Sequence, residues 1–489
     1  MIARIYPVLT IGLFLILNSA SGQGALTELK KLSETNDLKR GSISFYAHEL
    51  STSKTILNYN GAKLLIPASN QKLLTTAAAL SILGSDFTFK TYLEYDGHIT
   101  DKGTLEGNIY IRGEGDPTFG SGRISTSEAW SEVLNKVCNI LSDADIKKIN
   151  GGIIGDASWF EYNSIPDYWI WTDIGNYYGT GAYGLNVNEN TYKLLLKPGK
   201  AIGDSVEILR TDPVIPNIQF LNSIKTAAEG TGDNGYIYGA PFTSLRTLSG
   251  TIPRGGNFSI KGSMPDPAYF VASGIKEALV KNKIEILLPA SSLYTFNGKS
   301  ITERKVLHAF TSSPLKDIIR ETNVNSLNLY AESLLKTIGK KWYNEGTTKA
   351  GIKVLQEFWS SKGLDPSAVV IFDGSGLSTF NWVCSEAFSH ALLQMSKEKY
   401  YSDFYNSLPV AGVSGTLKKV GKGTKLENNM RAKSGSMKRV ICYSGYIKNP
   451  ETGKEYSFSV MVNNFECSAS VLIPKLEKIL LLLQAGQLN

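Results

Sequence analysis

Hydrophobic and polar positions change rhythm three times along the chain. Within 41–66, the runs GSISFYAHEL and KTILNYN alternate with a polar stretch between them, which predicts a β-hairpin. It leads into Pro67 to Leu80, where Leu73, Ala77 and Leu80 recur at helical spacing. Ser69 stands there as the expected N-cap and Pro67 stiffens the approach. From about 88 to 300, short strand-like runs such as TYLEYDG, NIYIRG and KLLLKPG are cut by Gly, Asp and Pro, with one helix near 127–141. From about 305 the helical spacing returns, over Leu315 to Ile319, Leu327 to Ile338, Thr348 to Lys362 and Cys384 to Lys397. The last third holds RAKSGSMKRVICYSGYI and KEYSFSVMVNNF, separated by a turn at 450–454. They predict two neighbouring antiparallel strands before a terminal helix, LIPKLEKILLL. The pattern predicts an α/β (α+β) domain split in two, its halves flanking a β-rich insertion of roughly two hundred residues.

Composition bounds the class. At 489 residues the chain exceeds one core, so two or three domains are expected. Hydrophobic residues at 42% and charged residues at 19% belong to a folded globular protein. The formal charge of +7 has no block of like charges, so it suits an anionic polymer or a membrane face rather than nucleic acid. Residues 1–22 read as a cleaved secretory signal: Arg4, an apolar run from Val8 to Leu17, then Ala20-Ser21-Gly22. The run is too short to span a bilayer, and no cysteine follows to take a lipid. The terminal helix is amphipathic, and docking on the core is favoured over peripheral membrane contact. Cys138, Cys384, Cys442 and Cys467 have no Cys-x-x-Cys spacing, and four histidines sit in no metal spacing, so no metal or other cofactor is expected. Disulfides are permitted in an exported protein and free thiols remain the alternative.

Ser69 and Lys72 are three apart at the start of a helix, so an amine stands one turn from a hydroxyl near free backbone N–H groups. Alone, Ser-x-x-Lys reads as a cap beside a solvated lysine, and the spacing recurs at Ser51/Lys54 and Ser313/Lys316 among others. What singles it out is the order of its partners: Ser326-Leu327-Asn328 at a helix start, then Lys433-Ser434-Gly435 opening a strand. No Gly-x-Ser-x-Gly elbow is present.

The sequence resembles the D-alanyl-D-alanine carboxypeptidase/endopeptidase family, the class C low-molecular-mass penicillin-binding proteins. The likeness covers nearly the whole mature chain. It includes Gly115-Asp116-Pro117-Thr118, Pro265-Asp266-Pro267-Ala268, Asp373-Gly374-Ser375-Gly376-Leu377-Ser378 and Leu408-Pro409-Val410-Ala411-Gly412. The resemblance implies a penicillin-binding domain at 23–88 and 304–489, a second domain at 89–190 and 262–303, and a third at 191–261 nested in the second. It implies a periplasmic enzyme without cofactor, acting on peptidoglycan peptides and acylated by β-lactams. Ser69 is then the nucleophile, and Lys72 the base, kept neutral by burial and by the charge of Lys433. Ser326 is the proton relay, and Asn328 holds Lys72 and the substrate amide. The oxyanion hole is formed by the N–H groups of Ser69 and Ser436. Ser434 and Ser436 hold the substrate carboxylate with Lys433; Gly435, read as a strand glycine by itself, lets the substrate approach the strand. The resemblance also assigns Asp173, in Trp169-Ile170-Trp171-Thr172-Asp173, to the amino group of the peptide's diamino acid, with Tyr178 as an aromatic wall. Three departures stand out: Leu327 replaces a polar residue and is expected to point away, Ser434 replaces threonine, and Thr379 stands where relatives carry an arginine. A β-lactamase or esterase on the same scaffold, and a catalytically idle cell-wall binding protein, are the alternative readings.

Overall fold

The computed structural model describes residues 24–298 and 303–489, so the expected leader at 1–22 lies outside the described residues. Five antiparallel strands form the sheet that carries the site, in the order Thr55–Tyr59, Ser42–Glu49, Glu455–Asn463, Val440–Lys448, Met430–Met437. The N-terminal hairpin thus joins strands from the far end of the chain. The long run at 431–447, expected as one strand, is two: Met430–Met437 and Val440–Lys448 form a hairpin. Its turn, Lys438-Arg439, carries no Gly, Pro or Asn to mark it, and Arg439 takes the left-handed φ of 62° itself. From Val440 to Ile447 the second strand is buried at every residue, because helices cover both faces of the sheet.

On one face lie the helices Ala25–Glu34 and Ala469–Gln484, with Ile441, Tyr443, Phe458 and Val460 in the core beneath them. The terminal helix is docked, burying Leu472, Leu476, Ile479, Leu480 and Leu483. On the other face the helix Gln71–Leu83 runs through the main core with Leu315–Val324, Asn328–Tyr343, Thr348–Ser361 and Ser385–Met395. Every residue from Gln71 to Leu80 is buried. The small Thr75, Thr76, Ala77, Ala78 and Ala79 let neighbouring elements close around it.

Between Lys90 and Thr311 strands outnumber helices, as the sequence pattern predicts, and the segment has its own core; beside the expected helix, Trp130–Asp143, it carries a second, Pro267–Lys281, that the pattern did not mark. One mixed sheet orders Ser291–Ser292, Ile153–Asp156, Ile109–Gly113, Lys90–Tyr95 and Lys305–Thr311. Thr191–Lys197 pairs with Glu207–Asp212 on one side and Phe258–Ser263 on the other. Leu245–Pro253 centres a further sheet that includes Asn234–Tyr238. All four cysteines are free thiols, with Cys384 and Cys442 buried.

Candidate active site

Ser69 does not cap the helix as expected. It sits inside a tight turn, Ala68–Asn70, that precedes the helix Gln71–Leu83. Ala68 is held at φ 46°, a backbone conformation that costs a non-glycine residue about 1 kcal/mol or more. Two glycines make room for this turn. A Cβ on Gly435 would stand 2.4 Å from the Pro67 carbonyl oxygen, and one on Gly376 would stand 1.9 Å from that of Ala68. Gly435 therefore serves the approach of the Ser69 turn to the strand, where substrate approach was the expectation.

The turn presents Ser69 to a cavity of about 760 Å³ that also exposes Ser326, Asn328 and Ser436. Beneath it lie two amines, Lys72 and Lys433, both 0% exposed. Lys72 Nζ stands 3.0 Å from Ser69 Oγ, 2.6 Å from Asn328 Oδ1 and 2.8 Å from the Ser375 carbonyl oxygen. Two of these partners can only accept. A neutral Lys72 donates to both, and its lone pair is left facing the Ser69 hydroxyl. Burial pushes Lys72 down to about 7, while the carboxylates of Asp373 and Glu332 act against it. The two buried amines repel each other, and burial first and Lys72 second push Lys433 well below the lysine range.

Lys433 Nζ donates to Ser326 Oγ at 2.9 Å and to the Ser434 carbonyl oxygen at 2.7 Å. Ser326 itself occupies the left-handed region, φ 57°, in the turn between Leu315–Val324 and Asn328–Tyr343. The Ser434 hydroxyl donates to Thr416 Oγ1 at 2.7 Å and is not among the groups lining the cavity, unlike Ser436. Leu327, expected to point away, lines the cavity, as does Thr379. The Asn328 amide donates to the Tyr178 carbonyl oxygen at 2.7 Å, so one of its two N–H donors already has a partner within the protein.

Asp173 and Tyr178 reach the same cavity from the insertion. The Tyr178 hydroxyl donates to Asp173 Oδ1 at 3.3 Å, and desolvation raises the Asp173 carboxyl above its ordinary value. Trp169 is buried, whereas Trp171 is 54% exposed.

Sequence reasoning missed a set of groups behind Lys72. Asn328, Glu332 and Lys336 recur at intervals of four on one face of a helix buried at every residue from Leu329 to Gly339. Glu332 accepts from the backbone N–H groups of Gly374 and Ser375, the latter at 2.7 Å, and so fixes the loop whose carbonyl receives Lys72. Lys336 donates to the Asn163 carbonyl oxygen at 2.9 Å and pairs with Glu161 at 3.2 Å, both in the insertion. Asp373 holds the same loop through the N–H groups of Gly376 and Ser378, and accepts from Trp169 Nε1 at 2.9 Å. The signal available was the spacing Asn-x-x-x-Glu-x-x-x-Lys in a segment predicted to be helical.

Known proteins resemble the chain along most of its length. A D-alanyl-D-alanine carboxypeptidase of Actinomadura sp. (strain R39) is 28% identical, over 96% of this chain and 86% of its own. D-alanyl-D-alanine carboxypeptidase DacB of Haemophilus influenzae is 26% identical, over 88% and 87%. The crystal structure of penicillin binding protein 4 (dacB) from Haemophilus influenzae matches with TM-score 0.79 at 23% identity, covering 93% of this chain and 99% of that one. That protein's complex with a novel β-lactam matches with TM-score 0.75. Residues 25–479 match the D-Ala-D-Ala carboxypeptidase 3 (S13) family, and the chain belongs to that family of serine peptidases.

Proposed function

We propose that the chain is an exported serine peptidase that trims D-alanine from peptidoglycan stem peptides or cuts their D,D cross-links, and that β-lactams acylate it at Ser69. The observation that carries this reading is the set of three contacts around Lys72, which leaves a buried amine able to receive the Ser69 proton near neutral pH. Ser69 Oγ attacks the carbonyl carbon between two D-residues as its proton passes to Lys72. The N–H groups of Ser69 and Ser436 receive the oxyanion; loss of one such donor typically slows acyl transfer by ~10²–10³. When the C–N bond breaks, Ser326, held by Lys433, passes a proton to the leaving amine. Water then cleaves the ester. Ser436, with Lys433 behind it, faces the terminal carboxylate, and Asp173 faces an amino group on the substrate side chain. The solved β-lactam complex of the Haemophilus influenzae protein supports the expected inhibitor class. Export rests on the leader pattern in residues 1–22.

The domain division follows the sequence reading, with one adjustment. The pairing of Lys305–Thr311 with Lys90–Tyr95 supports a return to the penicillin-binding domain near 312 rather than 304.

Fluorescent penicillin tests the assignment. The wild type should take one covalent label and release D-alanine from a pentapeptide, and Ser69→Ala should do neither. A wild type that binds cell wall without taking label would fit the binding-protein alternative instead.

A further inference from the structure

The cavity does not end at the acylation centre. Beyond Asn328 and Tyr178 its wall is made by Tyr236, Tyr238 and Lys261, from the strands Asn234–Tyr238 and Phe258–Ser263. Lys261, with Arg123, Glu189 and Thr191, also lines a second groove of about 520 Å³, so the two hollows meet at these residues. Two alanine residues fill a minor part of such a space, which leaves length for further arms of a substrate.

The charges at the junction sort unevenly. Arg123 forks onto both oxygens of Glu189, which also accepts from the Tyr330 hydroxyl at 3.3 Å. Lys193 lies opposite Asp212 on one neighbouring strand and opposite Lys261 on the other. Like charges directly opposite one another in a sheet are destabilising. The Lys261 ammonium rests over the Tyr177 ring, 5.9 Å from its centroid, and pairs with no carboxylate among the described residues. Tyr177 and Tyr236, 53% and 44% exposed, offer flat apolar faces along the same approach. An unpaired cation kept in a repulsive register, where two hollows join, is complementary to an anion supplied from outside.

We propose that Lys261 is a specificity-determining residue, which takes a free carboxylate of the substrate peptide remote from the scissile bond, and that the groove beyond it receives the arm bearing that carboxylate. The inference rests on the peptidase reading above and gives the strands around Lys261 a part in choosing the substrate.

The test uses the full-length enzyme as wild type, Lys261→Ala and Lys261→Arg. Two probes are compared: a cross-linked stem-peptide dimer with free carboxylates, and the same dimer with those carboxylates amidated. Lys261→Ala should raise KM for the first probe roughly fivefold with kcat unchanged, the size expected of one partly solvated ion pair. Lys261→Arg should restore KM. Lys261→Ala should leave both the amidated dimer and the rate of benzylpenicillin acylation as in wild type. An unchanged KM for the first probe, or a rise shared by the amidated dimer, overturns the assignment. Failure of the peptidase reading looks different: the wild type would leave both dimers uncut and take no label at Ser69, and both proposals would fall.

Discussion

Replacing Asn328 by aspartate probes the centre with almost no change of shape. The Asn328 Oδ1 atom lies 2.6 Å from Lys72 Nζ, so the variant sets a full negative charge against the amine. At an effective dielectric near 20, two unit charges at this separation attract by roughly 6 kcal/mol. Desolvation of the new carboxylate and its repulsion from the Tyr178 carbonyl oxygen, now 2.7 Å from the amide nitrogen, oppose much of that gain. A net of about 3 kcal/mol corresponds to about two pH units. Lys72 would then titrate near ~9, where it now titrates at about 7. At pH 7 the neutral fraction of the amine falls from about one half to about one hundredth, so acylation slows roughly fiftyfold. The assay is the second-order rate of fluorescent-penicillin acylation between pH 5 and 10. The rising limb should move upward by about two units, and much of the rate should return above pH 9. A rate reduced equally at every pH, with the limb unmoved, would falsify Lys72 as the proton acceptor.

Three further outcomes follow from buried contacts. Glu332→Ala leaves the N–H groups of Gly374 and Ser375 without partners, and urea unfolding should show a loss of about 3 kcal/mol together with slower acylation. Trp169→Phe keeps the apolar bulk but removes the donor to Asp373, so the same measurement should show a loss of about 2 kcal/mol. A variant as stable as wild type would mean that this link between insertion and catalytic loop is idle. Burial pushes His48 down to about 4 from an ordinary 6.5, so the unfolded chain takes up its proton first as pH falls. Its share of stability is complete above pH 6.5 and is lost as pH falls toward 4, and His48→Gln should flatten that part of the stability–pH curve.

Much of the site could be read from the chain because its chemistry uses local spacing. Ser69 and Lys72 share a helical turn, and the two later motifs each begin an element that the hydrophobic rhythm predicts. The hairpin at Ser42–Tyr59 and the helices after 315 were legible for the same reason. Other parts were hidden. Glu332 and Lys336 are charged residues in a helical pattern, and charges there ordinarily mark a solvated face; only tertiary packing turns that face inward. The turn at Lys438-Arg439 gave no residue signal because its left-handed φ is carried by an arginine. The role of Gly435 depended on a backbone more than three hundred and sixty positions away in sequence, which no local pattern encodes.

The polar stripe on the Asn328–Tyr343 helix makes one rigid rod answer to three clients. A twist of that rod carries the base's acceptor, the loop clamp and the insertion's anchor together, as lobes turn on one camshaft. A descendant that shed the insertion would leave the buried Lys336 without its Asn163 and Glu161 partners, and would have to rebuild the interior of this helix as well as its surface.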